Sequence, residues 1–389
     1  MKIRNTIYLD LQATTPVDSR VLAEMMPYFC SSFGNPHSSE HIIGWEASNA
    51  INTSAQHVGK LIGADSDEII FTSGATEANN LGLLGLARGV LGRRKRKVLV
   101  SEIEHKCILA ITEVLRNQLD FEVELVPVDP EGFVDIPKLE ELVDENVLFV
   151  SIMAVNNEIG TIQDIPTIAR IVRKAGALFH CDAAQAPLAI DLRNFSNFVD
   201  LMSLSGHKIY SPKGIGVLFI RRDIQDKIEP IIYGGGQQGT LRSGTLPVPL
   251  CVGIGSAAKL LVLPNEQKRS DLLALRNKFV KSILQLSWEI KLNGTSGEQR
   301  HPGNTNFCFK GFDALEILNS LQPHLAASTG SACTSGFHEP SHVLSAIGLS
   351  REDADSSIRF SFGYSTSDED LNEAVKLIDK ALSRLQQRR

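Results

Sequence analysis

The chain has 389 residues, a length that predicts two domains rather than one. Its 43% hydrophobic and 22% charged residues are typical of a globular protein with a large core, and a formal net charge of −6 argues against binding nucleic acid by bulk charge. No apolar run approaches the roughly 20 residues of a membrane helix, and the N-terminus has no export or transit signal, so we expect a cytoplasmic protein with no membrane partner and no direct nucleic-acid partner.

The first part of the chain predicts a short strand followed by helices. Residues 7–16 have the pattern of a strand that runs into a polar turn, and residues 17–29 have helical periodicity. Ser39 is the predicted N-cap of a long helix that continues to about Ile62.

A candidate anion site follows the next strand. Residues 68–72 predict a strand, and the sequence Ser73-Gly74-Ala75-Thr76 leads directly into a helix. Backbone N–H groups and the helix dipole favour negative charge at such a turn. By itself the signal is weak, because Thr76 followed by Glu77 is also typical of an ordinary helix cap.

The basic run Arg93–Lys97 lies between a helix and a strand. We expect a solvated loop here, with an acidic or nucleic-acid partner as the alternative.

Strands and helices then alternate, which is typical of a mostly parallel sheet with helices on both faces. Ligands of such sheets bind at the carboxyl ends of the strands, so the polar residues after each strand are candidate site residues. The predicted strands lie at about 98–101, 123–128, 147–152, 177–181, 199–203 and 216–220, and the helices at about 107–118, 137–144 and 164–175.

After about residue 264 the pattern changes to a long helix, short strands and further helices. We predict a large domain at residues 16–263 and a smaller α+β domain formed by residues 264–389 together with residues 1–15. The predicted helices of this part lie at about 265–286, 313–321, 341–347 and 368–386, and its strands at about 304–309 and 358–362.

Three residues at strand ends suggest one cofactor. Lys208 lies between two apolar strands, where a lysine has a lowered pKa and more free amine to attack a carbonyl, although a single lysine more often extends its amine into solvent. Asp182 follows a buried strand and needs a partner, either a structural cation or a protonated ring nitrogen. With Thr76 at the anion site, the set predicts a pyridoxal 5′-phosphate (PLP) site, and His105 is placed to stack on the ring.

Short motifs spread over nearly the whole chain carry a family resemblance. They are LD (9–10) with ATTP (13–16), TSGATE (72–77), EHK (104–106), VNNEIG (155–160), DAAQ (182–185), SGHK (205–208), RSGT (242–245), GSACTS (330–335) and SIRFS (357–361). In this order they resemble the cysteine desulfurases of the NifS/IscS type, within the class V PLP-dependent aminotransferases. The resemblance implies the fold of PLP-dependent transferases of type I, with a seven-stranded, mostly parallel sheet in the large domain.

The resemblance also implies roles for individual residues. Lys208 carries PLP covalently, Asp182 pairs with the ring nitrogen, and His105 stacks over the ring and moves protons. Arg359 takes the substrate carboxylate in a bidentate contact. The remaining implied ligands are Gln185 and Asn156 near the ring oxygen, with Asn156 also near the substrate, and Ala75, Thr76, Ser205 and His207 at the phosphate. Thr245 reaches the phosphate from a second subunit, which implies a homodimer.

The six cysteines are scattered, with no CxxC pair and no spacing typical of metal ligands, a pattern that fits a reducing compartment. No intrinsic metal site is predicted. Cys333 lies among small residues in a loop at about 326–340, which suits a nucleophile that must move. We expect Cys107, Cys181, Cys251 and Cys308 to be buried and inert, and Cys30 is ambiguous.

Cys333 decides the implied chemistry. The resemblance implies that L-cysteine loses its sulfur to Cys333, which becomes a persulfide, and that L-alanine is released. The persulfide then passes to an acceptor protein, and Cys333 is a candidate transient ligand of a metal cluster. The alternatives are a selenocysteine lyase, another class V enzyme, or a non-catalytic adaptor. The intact Lys208, Asp182 and Arg359 argue against the adaptor.

The acceptor stays open between iron–sulfur cluster assembly and a specialised route such as DNA phosphorothioation or tRNA thiolation. Three departures from the housekeeping pattern favour the specialised route. Gln12 stands where asparagine is common, residues 236–240 differ from the usual motif, and the chain ends at Arg389, soon after its last helix.

Overall fold

The computed structural model describes residues 1–90, 95–262, 266–330 and 340–388. The strands are β1 (Lys2–Ile3), β2 (Thr6–Tyr8), β3 (Ile69–Thr72), β4 (Lys97–Ser101), β5 (Glu122–Val126), β6 (Val147–Ser151), β7 (Leu178–Asp182), β8 (Leu201–Ser205), β9 (Gly216–Ile220), β10 (Ile290–Leu292), β11 (Asn304–Phe309), β12 (Leu325–Ala326) and β13 (Ser357–Ser361).

The α-helices of these ranges are α1 (Ser19–Met25), α2 (Pro27–Cys30), α3 (Ile42–Ile62), α4 (Ala75–Gly89), α5 (Lys106–Asn117), α6 (Ile136–Leu142), α7 (Ile165–Lys174), α8 (Val248–Val262), α9 (Glu266–Leu284), α10 (Ala314–Leu321), α11 (His342–Ala346), α12 (Arg351–Asp355) and α13 (Asp368–Gln386).

A seven-stranded sheet in the order β3-β9-β8-β7-β6-β4-β5 forms the centre of the molecule. Strands β5, β4, β6, β7 and β8 pair in parallel, and β9 is antiparallel to both of its neighbours. Alternate residues pack in two separate apolar cores, as period-two side chains require: Leu99 faces α3, α7 and α8, whereas Val98 and Val100 face α4 and α5. The predicted sheet is confirmed.

A smaller antiparallel sheet, β10-β11-β13, lies in a third apolar core with α9, α10 and α13. The N-terminal residues Ile7 and Leu9 belong to this same core. In β13, Arg359 pairs in register with Asn306 of β11. The N-terminal segment therefore packs against residues from the far end of the chain.

Several predicted boundaries are wrong for local reasons. The helix predicted at 17–29 is broken between α1 and α2, because Pro27 cannot donate a backbone hydrogen bond. The N-cap of α3 is His41, whose ring accepts from the N–H of Gly44, while the carbonyl of Ser39 accepts from the Trp45 indole. Helix α8 was not predicted, since consecutive residues 251–255 are all buried and leave no helical period to detect.

The described part of the basic run is not a solvated loop. Lys95 donates to the carbonyls of Val147 and Gly176, and Arg96 lies 4.8 Å over the ring of Phe121. Lys97 begins β4. Arg93 lies outside the described residues.

No single helix in the described ranges is long and apolar enough to cross a membrane; α8 and α9 pass such a test only when they are joined across their bend.

Candidate active site

A cavity of about 620 Å³ lies at the carboxyl ends of the central strands. Most of the predicted site residues line it, namely Ala75, Thr76, His105, Asp182, Gln185, Ser205, His207, Lys208 and Arg359. Cys333 lies outside the described residues, so its position stays a prediction. The position of ligands at the carboxyl ends of parallel strands therefore correctly predicted residues from four separate stretches of sequence, and Arg359 joins them from β13 of the smaller sheet.

Lys208 ends a single helical turn, Gly206–Lys208, that follows β8 directly. Its Nζ donates to the backbone carbonyls of Gln12 at 2.5 Å and Ala13 at 2.8 Å. Burial, together with the charge of Arg359, lowers the pKa of Lys208 to about 8, against the raising effect of Asp10 and Asp182. A fraction of neutral amine is therefore present at neutral pH.

Asp182 ends β7 and is only 6% exposed. Its Oδ1 accepts from the N–H of Ala184 and its Oδ2 from the amide of Asn79, each at 2.9 Å. Within the described ranges, no cation forms an ion pair with it. A buried carboxylate needs a positive partner, and one that faces an open cavity fits the protonated ring nitrogen of PLP.

The N-terminus of α4 supplies the predicted phosphate site. Ala75 and Thr76 form its first turn, where the unpaired N–H groups point into the cavity. Gly216 lets this turn lie against β9, because a Cβ there would sit 2.5 Å from the carbonyl carbon of Gly74. His207 is a neutral donor here, since burial lowers its pKa to about 4, with Lys208 contributing.

An ion pair anchors the segment that carries Thr245. Arg242 Nε contacts Glu77 Oε1 at 2.8 Å, and both side chains are largely buried. Thr245 itself is exposed and does not line the cavity of its own chain. This position neither requires nor opposes the predicted contact in a second subunit, which stays a prediction.

Arg359 is held by an ion pair that the sequence did not predict. Its Nη2 lies 2.7 Å from Oδ1 of Asp10, and its Nη1 donates to the carbonyl of Asn157 at 2.7 Å. The arginine is only 4% exposed, so the ion pair is buried rather than on the surface. Its Nε has no hydrogen-bond partner in the part of the chain that is described.

His105 caps α5 and is exposed to the cavity. Its Nδ1 accepts from the N–H of Cys107, so a neutral ring carries its proton on Nε2. Burial by the cavity walls lowers the pKa of His105, against the charge of Asp182, and keeps the ring neutral at pH 7. A neutral ring suits both stacking and proton exchange.

Cys107 corrects one expectation. It is half-buried and lines the cavity, whereas Cys181, Cys251 and Cys308 are buried as predicted and Cys30 is exposed. Burial, with the charge of Asp182, raises the pKa of Cys107 to about 12. It is therefore a thiol rather than a thiolate at neutral pH, and the predicted inertness follows from this charge environment.

Asn156 does not reach the cavity surface. Its side-chain oxygen accepts from the N–H groups of Glu158 and Ile159, and its amide donates to the carbonyl of Ile103. These contacts hold the turn, and Asn157 and Glu158 line the cavity in its place. The structure thus contradicts direct cavity lining by Asn156, and its role as a ligand stays a prediction.

Gln12 is a cavity residue that the sequence marked only as a departure from the family pattern. It lines the cavity, its carbonyl accepts from Lys208, and its side-chain oxygen accepts from Asn304 at 2.6 Å. The side-chain amides of Gln12 and Gln185 lie 3.4 Å apart. Its place between the motif residues Asp10 and Ala13 was the signal, but the motif gave no contact.

In the described ranges, no group of three or more His, Cys, Asp or Glu side chains could hold a metal ion.

Comparison with known proteins assigns the family. The aminotransferase class V family matches residues 7–373. The chain belongs to this family. As a class V protein it is similar to the cysteine desulfurase IscS of Rickettsia felis (strain ATCC VR-1525 / URRWXCal2), with 43% identity over 383 residues that cover 98% of this chain and 92% of that protein.

Solved structures of class V proteins share the fold. A NifS-like protein has a TM-score of 0.90 at 35% identity and covers 97% of this chain and 99% of its own. SspA in complex with cysteine has a TM-score of 0.80 at 36% identity, covering 92% of this chain and 99% of its own. The predicted family, fold, enzyme class and PLP cofactor are confirmed.

Proposed function

We propose that this class V enzyme is a cysteine desulfurase that converts L-cysteine to L-alanine and leaves the sulfur as a persulfide on Cys333. The observation that carries the proposal is a cavity in which Lys208, the unpaired Asp182 and the buried Arg359 meet. The similarity to a named cysteine desulfurase over 98% of the chain supports it. PLP, when bound, supplies the electron sink for bonds at the substrate carbons.

The side chains of this protein would then bind the substrate and transfer the protons. Arg359, which lines the cavity, holds the substrate carboxylate with its guanidinium group. Lys208, with its pKa near 8, takes the proton from the α-carbon and returns protons to the product. His105, with a proton on Nε2, exchanges protons above the ring.

The transfer to Cys333 balances without an external oxidant. L-cysteine and the Cys333 thiol give L-alanine and the Cys333 persulfide: the bond between Cβ and sulfur breaks, a sulfur–sulfur bond forms, and the alanine methyl group gains the hydrogen. An acceptor protein or a reductant then removes the outer sulfur. The IscS relatives favour iron–sulfur cluster assembly as the destination, with DNA phosphorothioation or tRNA thiolation as the alternatives.

The working unit that we propose is a cytoplasmic homodimer, with a large domain at 16–263 and a small domain at 1–15 and 264–389. Large apolar side chains are exposed near the start of α3, including Phe33 at 69% and Trp45 at 55%. An exposed apolar cluster of this kind suits a subunit interface. Light scattering should find a dimer that Phe33→Asp weakens.

The activity is tested by measuring alanine and sulfide release from L-cysteine with a reductant. Wild type should release both, while Lys208→Ala and Cys333→Ala should each lose more than about a thousandfold. Cys30→Ser, which changes a cysteine that is exposed and does not line the cavity, is the matched control and should keep full activity. Full activity in Cys333→Ala would refute the persulfide and favour a selenocysteine lyase or an aminotransferase.

A further inference from the structure

Below Asp182 lies a chain of four polar side chains that the proposed reaction does not use. Asn79, His180, Ser151 and Glu104 are each 0% exposed, and we call them the buried relay. Asn79 joins Asp182 to His180, with its Oδ1 3.1 Å from the ring Nε2. Ser151 Oγ lies 2.9 Å from the ring Nδ1 and 3.4 Å from Oε1 of Glu104. Such a buried network stabilises only when every member is satisfied.

The hydrogen-bond directions in the buried relay follow from its contact with Asp182, at the end nearest the cavity. The Asp182 carboxylate can only accept, so Asn79 must turn its N–H toward Asp182 and its oxygen toward His180. His180 must then donate from Nε2. Burial lowers the pKa of His180, so the ring is neutral and its Nδ1 accepts the hydroxyl proton of Ser151.

Glu104, at the end of the relay farthest from Asp182, must therefore supply a proton. The single Ser151 proton goes to the nearer partner, the His180 ring at 2.9 Å, so a hydrogen bond with Glu104 at 3.4 Å needs a proton from the acid. Burial, together with the negative charge of Asp182, raises the pKa of Glu104 well above its usual range. The second oxygen of Glu104 accepts from the N–H of His105 at 3.3 Å. With the Ser151 proton on His180, the link between Ser151 and Glu104 is a hydrogen bond only when Glu104 is protonated.

We propose that the buried relay is a positioning device for Asp182, and that it works only with Glu104 as a neutral acid. It fixes the tautomer of His180 and thereby aims the carboxylate into the cavity, toward the ring nitrogen of PLP. The inference rests on the proposed function for the role of Asp182 in catalysis, whereas the tautomer is a property of the chain itself.

The first arm of the test uses the full chain freed of PLP, with nitrogen-labelled histidine, and reads His180 by NMR. We expect the neutral ring with its proton on Nε2 in wild type. Glu104→Gln should keep this tautomer, because the glutamine amide replaces the protonated acid as donor to Ser151. An imidazolium, or a proton on Nδ1, in wild type would overturn the proposal without any variant.

The second arm measures PLP binding and its visible absorbance in the reconstituted chain. Ser151→Ala removes the donor to His180 and should weaken PLP binding by roughly fivefold, and Glu104→Gln should bind as wild type does. A PLP analogue methylated at the ring nitrogen has no N–H for Asp182 and should bind Ser151→Ala and wild type alike. Equal losses for both ligands would show a merely structural role and overturn the proposal.

The two arms separate this inference from the proposed function. Neither needs L-cysteine turnover, so a chain that releases no alanine could still show the relay. Conversely, an active desulfurase with the wrong His180 tautomer would leave the function intact and remove the relay.

Discussion

Two cations from different sheets face the same cavity, and their surroundings have opposite effects on whether they stay protonated. Lys208, in the turn after a central strand, donates to two backbone carbonyls and has no ion pair within the described ranges, and burial is the main cause that lowers its pKa to about 8. Arg359, within the smaller sheet, is paired with Asp10 at 2.7 Å. One cation can lose its proton near neutral pH, and the other cannot.

The difference matches two tasks. A group that must attack a carbonyl and carry a proton needs a neutral form, which desolvation without a counter-ion provides. A group that must hold a carboxylate needs a permanent charge, and guanidinium keeps it even when buried. The two are coupled, because the charge of Arg359 also lowers the pKa of Lys208.

The largest effect is expected when the paired cation is removed. Arg359→Ala leaves Asp10 without its partner and removes the carboxylate contact, so KM for L-cysteine should rise about a hundredfold, equivalent to about 3 kcal/mol. Arg359→Lys should recover only part of this, since ammonium lacks the bidentate geometry. Steady-state kinetics provides the measurement.

The control for Arg359→Ala is Arg351→Ala, which removes an exposed arginine paired with Asp355 and should leave KM unchanged. If Arg359→Ala lowered kcat at constant KM, the arginine would not be a ground-state carboxylate ligand.

A smaller effect is expected on the titration of Lys208 in the PLP-free chain. Its pKa is lowered, so the neutral amine grows as the pH rises through about 8, rather than near the usual value of about 10.4. Labelling by an amine reagent, read by mass spectrometry of the Lys208 peptide, should show that midpoint. Arg359→Met should move it upward, because a lowering charge is lost. An unchanged midpoint would mean that the two cations are not coupled.

The smallest effect is expected at Gln12. Gln12→Ala removes the side-chain contacts to Asn304 and Gln185 but keeps the carbonyl that accepts from Lys208. PLP affinity, measured by titration of the visible band, should fall roughly fivefold while kcat changes little. Gln267→Ala, on the exposed side of α9, is the control. A loss of kcat equal to that of Lys208→Ala would place Gln12 in the chemistry itself.

The sequence predicted residues that stand at the ends of regular strands. Asp182, Thr76 and Lys208 could be found because an apolar run stops where each ligand begins, and the fold then places all such ends together. Asn79 could not be found, since it is one polar residue inside a helix and its partner Asp182 is 103 positions away. Contacts of that range depend on packing, which periodicity does not encode.

The ion pair between Arg359 and Asp10 shows the same limit of prediction from sequence. Arg359 was predicted from a motif inside an apolar strand, but its partner Asp10 lies in an isolated β-bridge with Ser361, which is too short to show a period. Asn156 was predicted from a motif as well, and there the backbone of its own turn uses the side chain. A motif identifies residues that matter, and only the folded chain shows which atoms each contacts.

The ion pair between Asp10 and Arg359 joins residues 349 positions apart. During synthesis on the ribosome, Asp10 is made early, and Arg359 is added only after nearly all of the remaining chain. Lys208 is made in between, so its amine acquires the neighbouring guanidinium last. A nascent chain that stops before β13 would therefore contain Lys208 but not the charge of Arg359 that helps to lower the pKa of Lys208. The cavity is thus complete for its substrate only after β13 has been synthesised.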